Sequence, residues 1–368
     1  MGDSAKEGHH EIRTQVHIKA MKYRVQESLI YGLLAAAFLF CCTRPALGVI
    51  WHPDGEPNLV EWTDRPDPNV AGRWGNNASC VAVSSNCVIM TRHQGGGTGT
   101  VVEIGGGTYT VAETWTYSTA DLRAAKLYGA NLRSFVGLHE DTNEISKDIV
   151  IGGYGDGRGG LLKTGDITYG YEWDNSTNTT LRLGTNKVDD TENDNTIGSL
   201  TSDIIIADFD GLNEGESTIY EGIPAVHDSG SGWFIKVGGT WKVAGLSRAV
   251  GIHFEEGHPD DPNYILYEAW FRSRANPNIL QPDYLDAVRI SSYATWILET
   301  IPERLPGDLT GDDWVDFADF AVFAQYWQNM ECEFPDWCLG ADWEPDGDVD
   351  WADLAALADG WLCDWDCY

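Results

Sequence analysis

Ser229 stands in the run His227-Asp228-Ser229-Gly230-Ser231-Gly232, which continues into the apolar Trp233-Phe234-Ile235. A hydroxyl between glycines, with an acid directly before it, suits a nucleophile on a tight turn. Glycine lets a substrate carbonyl come close, and such a turn aims backbone N–H groups at the oxyanion that develops on attack. The same residue types also build ordinary turns, so the chemistry requires a base and a second acid elsewhere. His93 ends the apolar run Val88-Ile89-Met90-Thr91-Arg92, and Asp121 heads the alternating run from Leu122 to Leu127. Asp148 and Asp141 are alternative acids, but neither heads so good a strand. A serine activated by a histidine that an aspartate orients is the apparatus of acyl transfer. The chain order His, Asp, Ser is one of the three in which it occurs.

A second set of chemically suggestive residues lies in the C-terminal part. Asp308, Thr310, Asp312, Asp316 and Asp319 recur 34 residues later as Asp342, Glu344, Asp346, Asp350 and Asp353. Oxygen side chains at loop positions 1, 3, 5, 9 and 12 are what Ca²⁺ needs for six or seven ligands. Each loop runs into apolar residues at helical spacing, Phe317/Phe320/Phe323/Trp327 and Leu354/Leu357/Trp361. With seven tryptophans between Gly307 and Tyr368, this is a small folded unit and not acidic disorder.

The chain has 368 residues, 42% of them hydrophobic, and a formal charge of −33. That charge excludes nucleic acid and anionic membrane surfaces as partners. From Gly307 onward there are fourteen Asp, three Glu and no Lys or Arg, which marks a separate domain. Residues 28–42 form an apolar run preceded by Lys22 and Arg24, followed by Ala46-Leu47-Gly48. The run is short for a membrane span and fits an export signal cleaved between Gly48 and Val49. Met21 is an alternative start. Six cysteines then remain, Cys80, Cys87, Cys332, Cys338, Cys363 and Cys367. In an exported protein an even count implies disulfides. Cys80 and Cys87 are expected to pair, and the last four allow three connectivities.

The divisions are therefore a signal segment over 1–48, a domain over 49–300, a linker over 301–306 and an acidic domain over 307–368. Between Val49 and Pro306 short Val/Ile/Thr/Tyr/Trp runs alternate with Gly/Asn/Asp clusters, the pattern of an all-β barrel or sandwich pair. Strands are expected at Cys80–Val83, Cys87–Thr91, Thr100–Ile104, Thr108–Glu113, Asp148–Ile151, Leu181–Leu183, Asp203–Ala207, Trp233–Val237 and Trp241–Leu246, and a helix at Ser291–Thr300. The glycine-rich Gly152–Gly157 follows a strand but precedes no helical pattern, so it is read as a turn and not as a nucleotide fingerprint.

The run from Cys80 to His93, the strand begun by Asp121, Ile151-Gly152-Gly153-Tyr154-Gly155, the Ser229 loop, Val243–Ser247 and Val288–Ile297 together resemble the chymotrypsin/trypsin-like serine peptidases. The resemblance covers about 220 residues, in the family's order. It implies two six-stranded antiparallel barrels with the site between them. Ser229 would be the nucleophile, His93 the general base and Asp121 its orienting acid. The N–H groups of His227 and Ser229 would form an oxyanion hole, and Val49, freed by signal cleavage, would pair with Asp228. Gln94 stands where the family has cysteine, His227 and Ser231 where it has glycine, and Ile223 where trypsin has its specificity acid. Cleavage after Lys or Arg is accordingly not expected. The acidic domain resembles a type I dockerin, a small α-helical duplicated EF-hand-like module. That implies bound Ca²⁺ and a cohesin-like scaffold or surface protein as partner, although Phe317-Ala318 and Trp351-Ala352 replace the usual hydroxyl pairs and Asp313 the turn glycine of the first loop. The expected function is a secreted or surface-attached serine endopeptidase acting on protein or peptide. The alternative is an inactive barrel that serves adhesion or scaffolding through its tail.

Overall fold

Runs that are apolar at every position become strands buried on both faces. Cys87–Met90 is the clearest case: all four residues are buried. Val88 and Met90 point into one core, with Trp74, Val102, Ile104, Ala125 and Leu127. The intervening Ile89 points into another, with Leu122, Val150, Phe234 and Val288, as the two-residue period of a strand requires. The structure is a computed structural model. It describes residues 49–52, 61–174, 179–195, 197, 199–254, 264–302, 305, 307–312, 314–332, 338–344 and 346–361. The expected signal segment, Asp313, Cys363 and Cys367 lie outside these residues.

Six strands, Ala71–Trp74, Ala78–Ala82, Cys87–Met90, Val101–Ile104, Gly107–Thr116 and Arg123–Tyr128, close into a barrel. All its ladders are antiparallel; the third strand pairs with the sixth and the first with the fourth. A second sheet runs in the order Arg182–Lys187, Asp148–Gly153, Gly232–Val237, Thr240–Val250, Tyr284–Arg289, Ser202–Asp208 and Asp190–Asp194. These seven are also antiparallel, and Gly137–Leu138 adds a short parallel pairing on Thr240–Val250. Among the described residues no ladder closes this sheet, although its strands Arg182–Lys187 and Ser202–Asp208 approach each other. The first half is thus a closed barrel, and the second curls toward the expected one without a closing ladder among the described residues. Its own core gathers Ile149, Ile151, Ile205, Phe209, Trp233 and Leu285.

The expected strands all appear, and the glycine-rich Gly152–Gly157 does lead from strand to strand, into the hairpin Gly157–Thr164/Ile167–Asp174. A short 3-10 turn and helix α1 (Ala294–Thr300) close the domain and pack Ile297 into the seam between the halves. The Cys80–Cys87 disulfide does not form. Val81 faces Ile89 across the hairpin and Ala82 faces Val88, so Cys87 lies opposite residue 83 and Cys80 opposite residue 90. A spacing of seven does not make them cross-strand neighbours, and both stay buried.

The acidic domain contains helix α2 (Phe317–Tyr326) and helix α3 (Trp351–Asp359). Asp316 and Asp350 cap them, and Asp319 and Asp353 complete capping boxes, each cap stabilising by about 1 kcal/mol. Leu309, Val315, Phe323, Val349 and Leu357 form a separate small core. Cys332 and Cys338 are joined. The Asn131 side chain, in the loop after the barrel's sixth strand, donates to the carbonyls of Leu309 and Leu339 at 2.8 and 3.3 Å. No helix among the described residues is long and apolar enough to cross a membrane.

Candidate active site

His93 follows the strand Cys87–Met90 where the chain leaves the barrel. Gln94 turns back to donate to Thr91 Oγ1 at 2.7 Å, which braces the corner where the family resemblance would place a cysteine. Asp121 sits two residues before the strand Arg123–Tyr128, fully buried, with its own N–H donating to Ser202 Oγ of the second sheet at 2.9 Å. Ser229 comes from the loop before Gly232–Val237. Gly230 there has φ +81, and a Cβ on it would lie 2.3 Å from the Ser79 carbonyl; only glycine fits. The base and acid thus come from the barrel and the hydroxyl from the second sheet, and they meet at the seam.

The three side chains are in line. His93 Nδ1 lies 2.6 Å from Asp121 Oδ2, and His93 Nε2 lies 2.9 Å from Ser229 Oγ. Asp121 Oδ1 also accepts the His93 backbone N–H at 2.8 Å, so the carboxylate grips ring and backbone together. A buried carboxylate beside Nδ1 favours the tautomer with its proton there, leaving Nε2 to accept from the hydroxyl. The alternative acids Asp141 and Asp148 are both exposed, at the surface.

His227 has φ +74, a left-handed conformation that costs a side-chain-bearing residue about 1–2 kcal/mol. Among the described residues neither its N–H nor that of Ser229 donates to another protein group. Asp228 is fully buried and accepts from the N–H groups of Gly155, Ala225 and Val49 at 2.6, 2.9 and 3.2 Å. Burial nevertheless pushes its carboxyl up to about 6. A Cβ on Gly153 or Gly155 would fall 2.1 or 2.4 Å from this carboxyl group, which explains why the turn is glycine-rich.

Ile223 does not reach the substrate side. It faces Ile50 in a short ladder and is buried in the second core. A cavity of about 580 Å³ opens beside Ser229, lined by Trp173, Val226, Val250, Ile252, Leu266 and Tyr267 among others. Arg248 also lines it, but Asp286 holds its guanidinium through two hydrogen bonds of 2.7 and 2.9 Å, and Asp194 adds a third at 3.0 Å. Arg248 is the extra residue of a bulge between Ser247 and Ala249, the kind of irregularity that re-aims a side chain. The sequence reading missed this clamp. Its signal is a lone arginine in one apolar strand and a lone aspartate in another, Asp286 within Tyr284–Arg289.

In the acidic domain, Asp308, Asp312 and Asp319 bring carboxylate oxygens within 4.8 Å of one another. Asp308 and Asp319 are buried, although this domain has no basic residue. Thr310 Oγ1 beside them is buried without a hydrogen-bond partner. Asp308 accepts from the N–H groups of Gly311 and Asp312, and Asp319 from those of Leu309, Thr310 and Asp316, and such an all-oxygen set fits a hard divalent cation such as Ca²⁺. Asp316 instead bonds the Ala318 N–H as the helix cap. The second loop repeats the wiring. Asp353 accepts from Trp343 and Glu344 as Asp319 does from Leu309 and Thr310, and Asp350 caps α3 through Ala352. Gly347 turns this loop at φ +102. Asp342 accepts from the N–H groups of Asp346 and Gly347, but among the described residues only the first loop gathers three carboxylates within 4.8 Å. Glu344 is exposed.

No protein-family model matches the sequence, and no curated protein matches it. Among solved structures the fold is similar to neuropsin, a serine protease expressed in the limbic system of mouse brain. The identity is 15%, covering 64% of this chain and 96% of that one, with a TM-score of 0.40. It is also similar to the inactive form of the Rv3671c protease, at 11% identity, 63% and 89% coverage and a TM-score of 0.37. At these values the likeness adds nothing to the geometry of the site.

Proposed function

We propose that the chain is a serine endopeptidase. The observation that supports this reading most is the alignment of Asp121, His93 and Ser229 at 2.6 and 2.9 Å. Ser229 Oγ attacks the peptide carbonyl while His93 Nε2 takes its proton and then delivers it to the departing amine. Water, deprotonated by the same nitrogen, releases the acyl group, and Asp121 stabilises the imidazolium in both half-reactions. The N–H groups of His227 and Ser229 face the developing oxyanion, each contributing about 3 kcal/mol of transition-state stabilisation. Wild type is expected to label with a fluorophosphonate and Ser229→Ala not to; equal labelling of the two proteins sinks the reading.

The cavity beside Ser229 supports a preference for a large apolar residue on the acyl side of the scissile bond. Its one arginine is already neutralised by Asp286 and Asp194. Phe or Leu substrates are expected to exceed their Arg and Asp counterparts in kcat/KM by about 10- to 100-fold, the worth of burying such a side chain. Faster cleavage after Arg in a fluorogenic peptide panel contradicts this.

We further propose that residues 1–48 direct export and are removed before Val49, and that the acidic domain is a dockerin-like module. It would bind Ca²⁺ through Asp308, Thr310, Asp312 and Asp319 in the first loop and through Asp342, Asp346 and Asp353 in the second. Bound Ca²⁺ would supply counter-charge that holds the loops closed on the helix caps. A cohesin-like scaffold or surface protein would be the partner. A far-UV CD change on adding calcium is expected in wild type and is expected to shrink in Asp346→Ala, with the first loop supplying the remainder; an unchanged response in that variant argues against the second loop as a site.

A further inference from the structure

We infer that Asp156 is a positioning residue for the oxyanion hole, anchoring the His227 side chain and so holding the left-handed turn that aims the His227 N–H. The inference rests on the peptidase reading. Three contacts from Gly155 and Asp156 of the glycine-rich turn grip the loop ahead of Ser229. The Gly155 N–H donates to Asp228 Oδ1 at 2.6 Å, the Asp156 N–H donates to the Val226 carbonyl at 2.8 Å, and Asp156 Oδ1 faces His227 Nδ1 at 3.4 Å.

A glycine at 227 would take φ +74 without support, whereas a histidine must be held there. Asp156 is placed to do so. It is 1% exposed, and its Oδ1 has no hydrogen-bond partner. A buried carboxylate in that state is tolerated when a cation faces it, and the imidazole is the group that does. The same carboxylate, with a smaller contribution from Asp228, raises the pKa of His227, so the pair favours its charged form. The fit leaves no slack, since a Cβ on Gly155 would meet the Asp228 carboxylate and the Val226 carbonyl at 2.4–2.6 Å. The turn that the sequence offered as a mere connection is, on this view, the support that lets this site do without a glycine at 227.

The test is a double-mutant cycle on the full chain: wild type, Asp156→Asn, His227→Gly and the pair, assayed on one peptide substrate with folding followed by CD. With His227 present, Asp156→Asn is expected to lower kcat by about 10- to 100-fold with little change in KM, part of the loss seen when a hole donor is removed outright. In the His227→Gly background, the same change is expected to cost less than about twofold, the signature of coupling between the two positions. Equal losses in both backgrounds, a loss carried by KM, or an Asp156→Asn chain that unfolds in both backgrounds overturns the inference and makes Asp156 a folding residue. Wild type that shows no Ser229-dependent labelling overturns the peptidase reading and this inference with it. Labelled wild type with an uncoupled cycle overturns this inference alone.

Discussion

Asp121→Asn is expected to lower kcat by about four orders of magnitude while leaving the fold intact. The wild-type carboxylate accepts twice from the same residue, from the His93 backbone N–H through Oδ1 and at the ring through Oδ2. An asparagine keeps the first bond by turning its carbonyl to the backbone, and must then present its NH₂ group to Nδ1. Two donors cannot face each other, so the ring moves its proton to Nε2, and the nitrogen that should accept from Ser229 becomes a donor. Because Asp121 is fully buried, water cannot step in to restore the tautomer. Single-turnover hydrolysis measures the chemical step directly. A loss below about tenfold would show that the alignment of the three side chains is not used.

The second large effect concerns Val49. Its nitrogen lies 3.2 Å from Asp228 Oδ2 in a fully buried position, and in the continuous chain it carries φ +46, an outlier for a β-branched residue. Cleavage before Val49 turns an amide N–H into an ammonium at that spot. A form beginning at Val49 is expected to exceed a form with residues retained ahead of it by about 10²- to 10³-fold in kcat/KM, taking a buried pair as worth 3–5 kcal/mol to the active conformation. Equal activity of the two forms would falsify the activation scheme.

Their pH dependences should also differ. In the extended form Asp228 titrates near 6, above the ordinary carboxyl value near 4. The native state then holds the extra proton, so Asp228's contribution to stability is present below about pH 4 and is lost as pH rises through 6. With an ammonium beside it the carboxylate is favoured instead, so its carboxyl falls below the ordinary value, its window of rising stability lies below about pH 4, and between pH 4.5 and 7 its contribution is nearly flat. Melting temperatures of the two forms at pH 4.5 and 7 test this, and parallel trends would contradict it.

The residues of the candidate site were legible because their local contexts are extreme. His93 ends a run buried on both faces, Asp121 begins one, and Ser229 sits among glycines. Their convergence depends on a ladder order that no local pattern encodes, since the barrel's third strand pairs with its sixth and not with its sequence neighbour. The same limit explains the Cys80–Cys87 error, where spacing stood in for register. Tyr284–Arg289 is absent from the expected strands because Asp286 interrupts its apolar alternation; the explanation, Arg248, lies 38 residues away. Ile223 was assigned by counting back from Ser229, and the count does not reveal that its side chain turns into the second core. Asp156 escaped notice because a buried acid in a glycine-rich turn looks like any turn residue until its partner is seen.

The Asn131 amide bears on how the molecule would carry load. It ties carbonyls of two segments of the tail, at Leu309 and Leu339, to one corner of the barrel. That corner closes the strand Arg123–Tyr128 at the end opposite Asp121, roughly 20 Å away at a strand's rise per residue. Were the tail the point of attachment, a pull on it would enter the barrel through this corner and travel along hydrogen-bonded ladders that resist shear. The reactive groups lie at the far end of that strand, where Asp121 holds His93, so the barrel's antiparallel ladders would share the load before it reached them.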